Sequence, residues 1–235
     1  MGIQDEVRTA VDEICSVAWK ERHGTVVPET QDVVFKNGAV NVEATYLYAD
    51  LANSTVLAHH VSRKVVARVI RSYLNASARV IRKWNGAIRS YDGDRVMGIF
   101  IGSSQRNDAV RAALGINWAF CDVLKPKISE KWPTVPSRWT PHHAVGVAHG
   151  EAMIVRGGVV GENDLISIGR APNIAAKLSD IRGAKHLYTT DGVHSALKRP
   201  AKMAASDESF WSRYPDQTIG GKTVKVYASN WWKKP

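Results

Sequence analysis

The sequence predicts a mixed α/β sandwich, in which one sheet is covered by helices on one face. Segments with strand-like and helix-like spacing of apolar residues follow one another in mixed order, without an internal repeat or a long linker. The 235 residues are 44% hydrophobic and 23% charged, which is typical of a packed globular chain and excludes a disordered or collagen-like protein. The uncovered face of such a sheet requires a partner.

The balance of charge favours anionic partners, because 32 Lys and Arg stand against 22 Asp and Glu, a net charge of +10. No apolar run approaches the roughly 18 residues of a membrane span. The first residues also lack the pattern of a signal peptide. We therefore expect no membrane span and a cytoplasmic protein. Two cysteines, Cys15 and Cys121, cannot build a disulfide framework, which suits a reducing compartment.

The N-terminal segment, residues 5–22, has apolar residues at helical spacing. They form one stripe, which predicts a buried packing helix, with a dimerisation helix as the alternative: Val7, Val11, Ile14, Cys15, Ala18 and Trp19. Residues 42–51 alternate as in a strand, and the charged residue Asp50 stands at the end of that strand. A long helix is predicted over residues 55–84, with Asn85-Gly86 as its stop.

A tight hairpin is predicted next, because Asp92-Gly93 separates two strand-like runs and tolerates the positive φ angles of such a turn. Asp94 follows just past the tip. The other predicted elements are, in chain order, the hairpin strands 87–91 and 95–101, a helix at 106–124, a proline-rich exposed loop at 125–141, strands at 143–148 and 153–156, a helix at 172–181, and strands at 187–190 and 223–228.

Two carboxylates, Asp50 and Asp94, stand at the ends of predicted strands. If those strands are neighbours, the two side chains converge. Hard divalent cations prefer oxygen ligands, and a pair of metals bridged by carboxylates activates an attacking hydroxyl and neutralises a triphosphate. Taken singly, each aspartate has an ordinary alternative as a turn or capping residue.

A third segment, residues 162–178, reads as a strand, a glycine and a helix start. Asn173 and Lys177 follow at positions i and i+4, which places an amide and a cation on one helical face. The turn His149-Gly150-Glu151 precedes this segment, directly after a predicted strand. In chain order the features are a strand-end aspartate, a Gly-Asp hairpin, this turn, and Ile-Gly-x-x-x-Asn-x-x-x-Lys.

This order resembles the catalytic domain of class III nucleotide cyclases, the adenylate and guanylate cyclase family, over residues 46–227. The resemblance implies a ferredoxin-like α/β domain that dimerises head to tail, with active sites in the cleft between subunits. A homodimer would supply the missing partner of the sheet. The resemblance also divides the chain into residues 1–44, an N-terminal helix and lead-in strand, and residues 45–235, a cyclase catalytic domain.

The resemblance also implies roles for individual residues. Asp50 and Asp94 match the two aspartates that hold a pair of Mg²⁺ or Mn²⁺ ions, and Asn173 matches the asparagine that orients the ribose. Lys177 stands where the family has an arginine that stabilises the transition state. Lysine keeps the positive charge but lacks the planar fork that binds phosphate through two bonds.

The positions that read the base match neither purine pattern. Adenylate cyclases have lysine and guanylate cyclases glutamate where this chain has Ser90; the paired position, aspartate, threonine or cysteine in the family, is Ile166. Tyr48 lies two residues before Asp50, where its ring narrows the base pocket or, alternatively, packs in a dimer interface. The resemblance therefore points to the bacterial pyrimidine cyclases of anti-phage defence, which make cyclic UMP or cyclic CMP for a separate effector, with UTP ahead of CTP.

Three alternatives remain open from the sequence. One is an adenylate cyclase with a divergent pocket. Another is a degenerate cyclase-like domain that binds nucleotide without turnover, which the missing arginine favours and the two aspartates oppose. The last is a nucleic-acid-binding module, which explains the charge but leaves the pattern of Asp50, Asp94 and Asn173 unexplained. We therefore expect no direct binding of nucleic acid.

Overall fold

A computed structural model describes residues 2–235. Within them the strands are β1 (Lys20–His23), β2 (Gly38–Ala52), β3 (Ala87–Asp92), β4 (Arg95–Phe100), β5 (His142–Val159), β6 (Glu162–Ile168), β7 (Leu187–Thr190), β8 (Ser212–Ile219) and β9 (Lys222–Ser229). The helices are α1 (Ile3–Ser16), α2 (Ser54–His60), α3 (Arg63–Lys83), α4 (Gln105–Trp118), α5 (Lys125–Lys131), α6 (Arg170–Ser179), α7 (Asp191–His194) and α8 (Arg199–Lys202). A π-helical segment, Ala119–Leu124, joins α4 to α5.

The strands form one mixed sheet, and the predicted α+β class is confirmed. Its order is β3-β4-β2-β5-β7-β9-β8, with β1 beside β2 and β6 beside β5. Most neighbours are antiparallel, whereas β1–β2 and β5–β7 are parallel. The long central pair β2–β5 runs in register from Ala39 opposite Val155 to Ala52 opposite His142. This pair is the scaffold on which the candidate site is built.

Helices cover both faces of the sheet, so the prediction of a single covered face is wrong. Leu47 and Leu51 of β2 pack in one core cluster with side chains of α3 and α4, whereas Tyr46 packs in another with side chains of α6. Alternate residues of a strand point to opposite faces, which produces both clusters from one strand. Gly146 lets α6 approach closely: a Cβ there would lie 2.1 Å from the Ala175 carbonyl oxygen.

The N-terminal helix predicted over residues 5–22 forms only as far as Ser16, since β1 begins at Lys20, and the prediction that it is buried is wrong. None of the residues of α1 is buried, and Val7 and Val11 of its apolar stripe are 54% and 53% exposed. Helical periodicity reveals an amphipathic helix but not the surface that covers it. β2 spans the predicted division between residues 44 and 45 without a break.

The other differences concern continuity. The helix predicted over 55–84 is two helices, α2 and α3. The strands predicted at 143–148 and 153–156 are one strand, β5. The proline-rich segment 125–141 is not an exposed loop, because it contains α5 and buries Ile128, Val135 and Trp139. Among the described residues, no helix has the length and apolarity needed to cross a bilayer.

Candidate active site

The register between β2 and β4 brings the two candidate metal ligands together. Asp50 lies opposite Arg95, and the backbone N–H of Leu51 donates to the carbonyl oxygen of Asp94 over 3.3 Å. Gly93 has a φ of 60° at the hairpin tip, as the predicted Asp-Gly turn requires. Burial raises the pKa of Asp50, and the neighbouring charge of Asp94 raises it further. The electrostatic repulsion between the two carboxylates favours a cation beside them.

The donor set fits a hard divalent cation. Asp50 and Asp94 offer carboxylate oxygens, and Mg²⁺ in proteins is commonly held by one or two carboxylates, with substrate phosphates and water completing its shell. Residues 2–235 contain no group of three or more His, Cys, Asp or Glu side chains placed to hold a metal without other ligands. The pair therefore suits a metal that arrives with a phosphorylated substrate.

Two arginines contact the buried carboxylate, and the sequence indicated neither of them. Arg182 Nη2 donates to Asp50 Oδ2 over 2.5 Å, and Arg95 Nε lies 3.7 Å from Asp50 Oδ1. Arg95 also contacts Asp180, with 3.4 Å between Nη2 and Oδ1, and Lys177 reaches the other oxygen of Asp180 over 3.4 Å. In the sequence, Arg182 is recognisable only as a charged residue directly after the predicted helix 172–181, which does not indicate a contact with Asp50.

Tyr48 and Ser90 lie in one row across the sheet. Met97 of β4 is opposite Tyr48 of β2 on one side and opposite Ser90 of β3 on the other. Residues opposite one another in a sheet share a face, and Asp50 shares it because it lies two residues beyond Tyr48. The row therefore borders the carboxylate on the face that α6 covers. Burial raises the pKa of the half-buried Tyr48 hydroxyl, so it remains protonated at neutral pH.

Three predicted site residues lie elsewhere. Ile166 is on β6, opposite Val155, and its half-exposed side chain lies across Gly157. Asn173 and Lys177 are both exposed on α6, on one helical face as predicted. Among residues 2–235, no hydrogen bond or ion pair joins either of them to Asp50 or Asp94.

A buried polar network lies behind the carboxylates, on the opposite face of the sheet. The Tyr73 hydroxyl donates to Nδ1 of His143 over 3.1 Å, while His143 Nε2 and His186 Nδ1 donate to the side-chain oxygen of Asn117 over 2.9 and 2.8 Å. Burial lowers the pKa of His143 far below its ordinary value and that of His186 to about 4. Both rings are therefore neutral at pH 7, and for His143 the hydrogen bonds agree, because its Nδ1 accepts from Tyr73 while its Nε2 donates.

A cavity of about 670 Å³ opens at the first turn of α6, lined in part by Glu151, Arg170, Ile174, Asp191 and Lys225. It contains neither Asp50 nor Asp94. The candidate ligands and this cavity thus lie in separate parts of the surface of one chain.

Comparison with known proteins relates this arrangement to a family. A uridylate cyclase of Rhodovulum sp. (strain MB263) is 39% identical over 240 residues, covering 100% of this chain and 99% of the relative. Uridylate cyclases of Burkholderia cepacia and Xanthomonas perforans are 34% and 33% identical, with at least 98% of each chain covered. The chain belongs to the uridylate cyclase family. No protein-family model matches it.

Solved structures place the same fold among the cyclases. A bacterial light-regulated adenylyl cyclase superposes with a TM-score of 0.66 at 20% identity, covering 81% of this chain and 52% of that one. The adenylyl cyclase CyaB from P. aeruginosa superposes with a TM-score of 0.65 at 18% identity, covering 81% and 95%. The predicted resemblance is confirmed, and this member of the uridylate cyclase family is a nucleotide cyclase with a class III catalytic fold.

Proposed function

We propose that the protein converts a pyrimidine nucleoside triphosphate, UTP ahead of CTP, to the 3′,5′-cyclic monophosphate and pyrophosphate. The juxtaposition of Asp50 and Asp94 by the β2–β4 register supports the reaction. The names of the full-length relatives support the base. In this proposal the product is a second messenger of bacterial anti-phage defence that a separate effector binds.

The active unit in this proposal is a homodimer with composite sites. The supporting observation is that no direct contact joins the two candidate groups within the described residues of one chain, where Lys177 is linked to Asp50 only through Asp180 and Arg95. Asp50 and Asp94 are at one end of β2 and β4, whereas Asn173 and Lys177 are exposed on α6 without contact to them. A second chain, arranged with two-fold symmetry, would place its Asn173 and Lys177 over the carboxylates of the first. Each dimer would then hold two equivalent sites.

The chemistry assigned to this site is an intramolecular displacement. The ribose 3′-oxygen forms a bond to the α-phosphorus, the bond from that phosphorus to the bridging oxygen breaks, and pyrophosphate leaves, while the 3′-hydroxyl proton passes to solvent. Asp50 and Asp94 would hold two Mg²⁺ or Mn²⁺ ions, which when bound acidify the hydroxyl and neutralise the triphosphate. Asn173 would position the ribose, and Lys177 would offset charge developing on the phosphate.

The selection of a pyrimidine is attributed to what the base pocket lacks. Ser90 is short, and Ile166, which a second chain would bring to the pocket, offers no hydrogen-bond donor or acceptor, so a purine would leave polar edge atoms unpaired at a cost of about 1–3 kcal/mol each. Tyr48 lies in the same row as Ser90, with Met97 between them, so that its ring limits the width of the pocket. A smaller base fits closer to the sheet.

The test is to incubate the purified protein with UTP, CTP, ATP and GTP separately, in Mn²⁺ and in Mg²⁺, and to identify products by chromatography and mass spectrometry. We expect cyclic UMP to form fastest and cyclic CMP next. The Asp50→Asn/Asp94→Asn protein, purified identically, controls for cyclases of the expression host. Faster cyclisation of ATP or GTP than of both pyrimidine nucleotides would overturn the proposed substrate class and favour a divergent adenylate cyclase.

A further inference from the structure

Arg182 contacts the candidate metal site at Asp50. Its Nη2 donates to Asp50 Oδ2 over 2.5 Å, and its Nη1 donates to the Ser179 carbonyl oxygen over 2.8 Å. The side chain of Asp50 is 5% exposed, whereas that of Arg182 is 40% exposed. The guanidinium group therefore lies on the solvent side of the carboxylate and occupies one of the oxygens that a metal would need.

Arg95, the other arginine at this carboxylate, has a different position. It lies between Asp50 and Asp180, at 3.7 and 3.4 Å, so it keeps a carboxylate partner when Asp50 is taken by another cation. Arg182 has no second carboxylate partner among residues 2–235. A metal at Asp50 would therefore release Arg182 and leave Arg95 in place.

The competition at Asp50 depends on the charge of the cation. A guanidinium group carries one positive charge, and it suffices for a single buried carboxylate. A divalent cation carries two positive charges and also interacts with Asp94, which the β2–β4 register places beside Asp50. A metal that brings a triphosphate adds anionic oxygens to the same place, so metal and nucleotide together displace Arg182 more readily than metal alone.

The released guanidinium group matches the incoming phosphates. It has five N–H donors in a planar arrangement, of which one donates to Asp50 and one to the Ser179 carbonyl oxygen. Its bond to the last turn of α6 keeps it beside the site. Lys177, at the position of the family's arginine, supplies a charge without a fork. Arg182 would supply the paired hydrogen bonds to phosphate that Lys177 does not make, and it would do so from the chain whose aspartates hold the metals.

We propose that Arg182 is the counter-ion of Asp50 in the nucleotide-free enzyme and passes to the triphosphate when the metal enters. This inference rests on the proposed function, because it requires a metal at Asp50 and a triphosphate beside it. It makes the binding of metal and nucleotide mutually dependent: metal alone competes with Arg182, whereas metal with nucleotide gives Arg182 a new partner.

The test separates these two effects by measuring binding without catalysis. The affinity of the nucleotide-free protein for Mn²⁺ is measured by electron paramagnetic resonance of the free ion. Binding of the 3′-deoxy forms of UTP, CTP and ATP, which lack the attacking hydroxyl, is measured by calorimetry with Mn²⁺ present. For Arg182→Gln we expect Mn²⁺ alone to bind about 5-fold more tightly and the 3′-deoxynucleotide about 10-fold more weakly. Arg182→Lys should keep wild-type Mn²⁺ affinity and lose nucleotide affinity.

A purely structural role of Arg182 would not raise the affinity for Mn²⁺ and lower the affinity for the 3′-deoxynucleotide in the same variant. Arg199→Gln removes an arginine from the exposed pair with Asp207 and should change neither affinity. Unchanged or weaker Mn²⁺ binding by Arg182→Gln, in protein with a wild-type circular dichroism spectrum, would overturn the inference. Failure of the wild-type protein to bind any of the three 3′-deoxynucleotides would instead overturn the proposed function, while the Mn²⁺ titration would still decide whether Arg182 competes at Asp50.

Discussion

Asp50 faces Arg95 across the antiparallel β2–β4 ladder, with Asp94 one residue beyond at the hairpin tip. This register, rather than any contact along the chain, makes two aspartates 44 positions apart into neighbours. It also determines how the metal hypothesis is tested, because Asp50 is only 4% exposed and is contacted by two arginines. Removing its side-chain oxygens would leave Arg182 without a carboxylate partner, whereas Arg95 keeps Asp180.

Neutralising either aspartate as its amide should abolish cyclisation. For Asp50→Asn and Asp94→Asn we expect a loss of at least about 100-fold in turnover, because an amide retains the shape of the carboxylate but not the charge that binds a divalent cation. Steady-state formation of cyclic nucleotide measures it. Asp92→Asn, at an exposed position of the same hairpin, is the control and should retain activity. Near wild-type product formation by Asp94→Asn would remove the two-metal mechanism.

Mixing two inactive variants should restore activity if each site is shared between chains. Asp50→Asn damages the carboxylate side of a site and Asn173→Ala the side supplied by α6, so a heterodimer has one undamaged site and one with both changes. With free exchange of subunits we expect about a quarter of wild-type activity. Subunit exchange is followed by native mass spectrometry. A mixture that exchanges and stays inactive would show that each site is built within one chain.

Removing the aromatic ring at position 48 should weaken discrimination against purines. Tyr48→Ala opens the row between Asp50 and Ser90, and we expect the ratio of kcat/KM for UTP over ATP to fall about 10-fold. Tyr48→Phe keeps the ring and should retain most of the ratio. Because Tyr48 is half-buried, thermal unfolding is measured alongside. If Tyr48→Ala lowers kcat/KM for both nucleotides equally, the ring packs in an interface and does not select the base.

The cation on α6 should act on turnover more than on substrate binding. For Lys177→Ala we expect kcat to fall about 100-fold with a smaller change in KM, because the charge is needed where negative charge develops. Lys177→Arg should keep at least wild-type turnover, since arginine adds a second hydrogen bond to phosphate. Lys185→Ala, on the segment that follows α6, is the control. A rise in KM alone in Lys177→Ala would place the lysine in ground-state binding.

The buried histidines should make the fold sensitive to acid. The pKa of each histidine is lowered in the folded chain. Below the ordinary value of about 6.5, the unfolded chain therefore binds protons that the folded chain does not, and the free energy of unfolding decreases as the pH is lowered. For His186, with a pKa of about 4 in the folded chain, this loss extends from pH 6.5 down to about 4.

Urea unfolding between pH 7 and pH 4.5 measures that loss. Allowing for the partial exposure of His186, we expect Asn in place of His186 to remove about 1–2 kcal/mol of the pH dependence of the free energy of unfolding. His23→Asn, at an exposed histidine, is the matched control. An identical pH dependence in His186→Asn and the wild-type protein would contradict the assignment of a neutral, buried ring.

The sequence by itself determined the features that depend on neighbours along the chain. Alternation identified residues 42–51 of β2, the Asp-Gly pair identified the hairpin before Asp94, and a spacing of four placed Asn173 and Lys177 on one face of α6. These are consequences of backbone geometry with periods of 2 and 3.6 residues, so they can be read locally.

Only the tertiary structure decided which distant groups meet and which apolar surfaces are covered. Arg182 reaches Asp50 across 132 positions, α6 covers a face of the sheet that the sequence left open, and α1 keeps its apolar stripe exposed. The physical reason is that periodicity specifies the direction of a side chain relative to its own helix or strand. The partner of that side chain depends on the order of strands in the sheet and on how closely helices approach it.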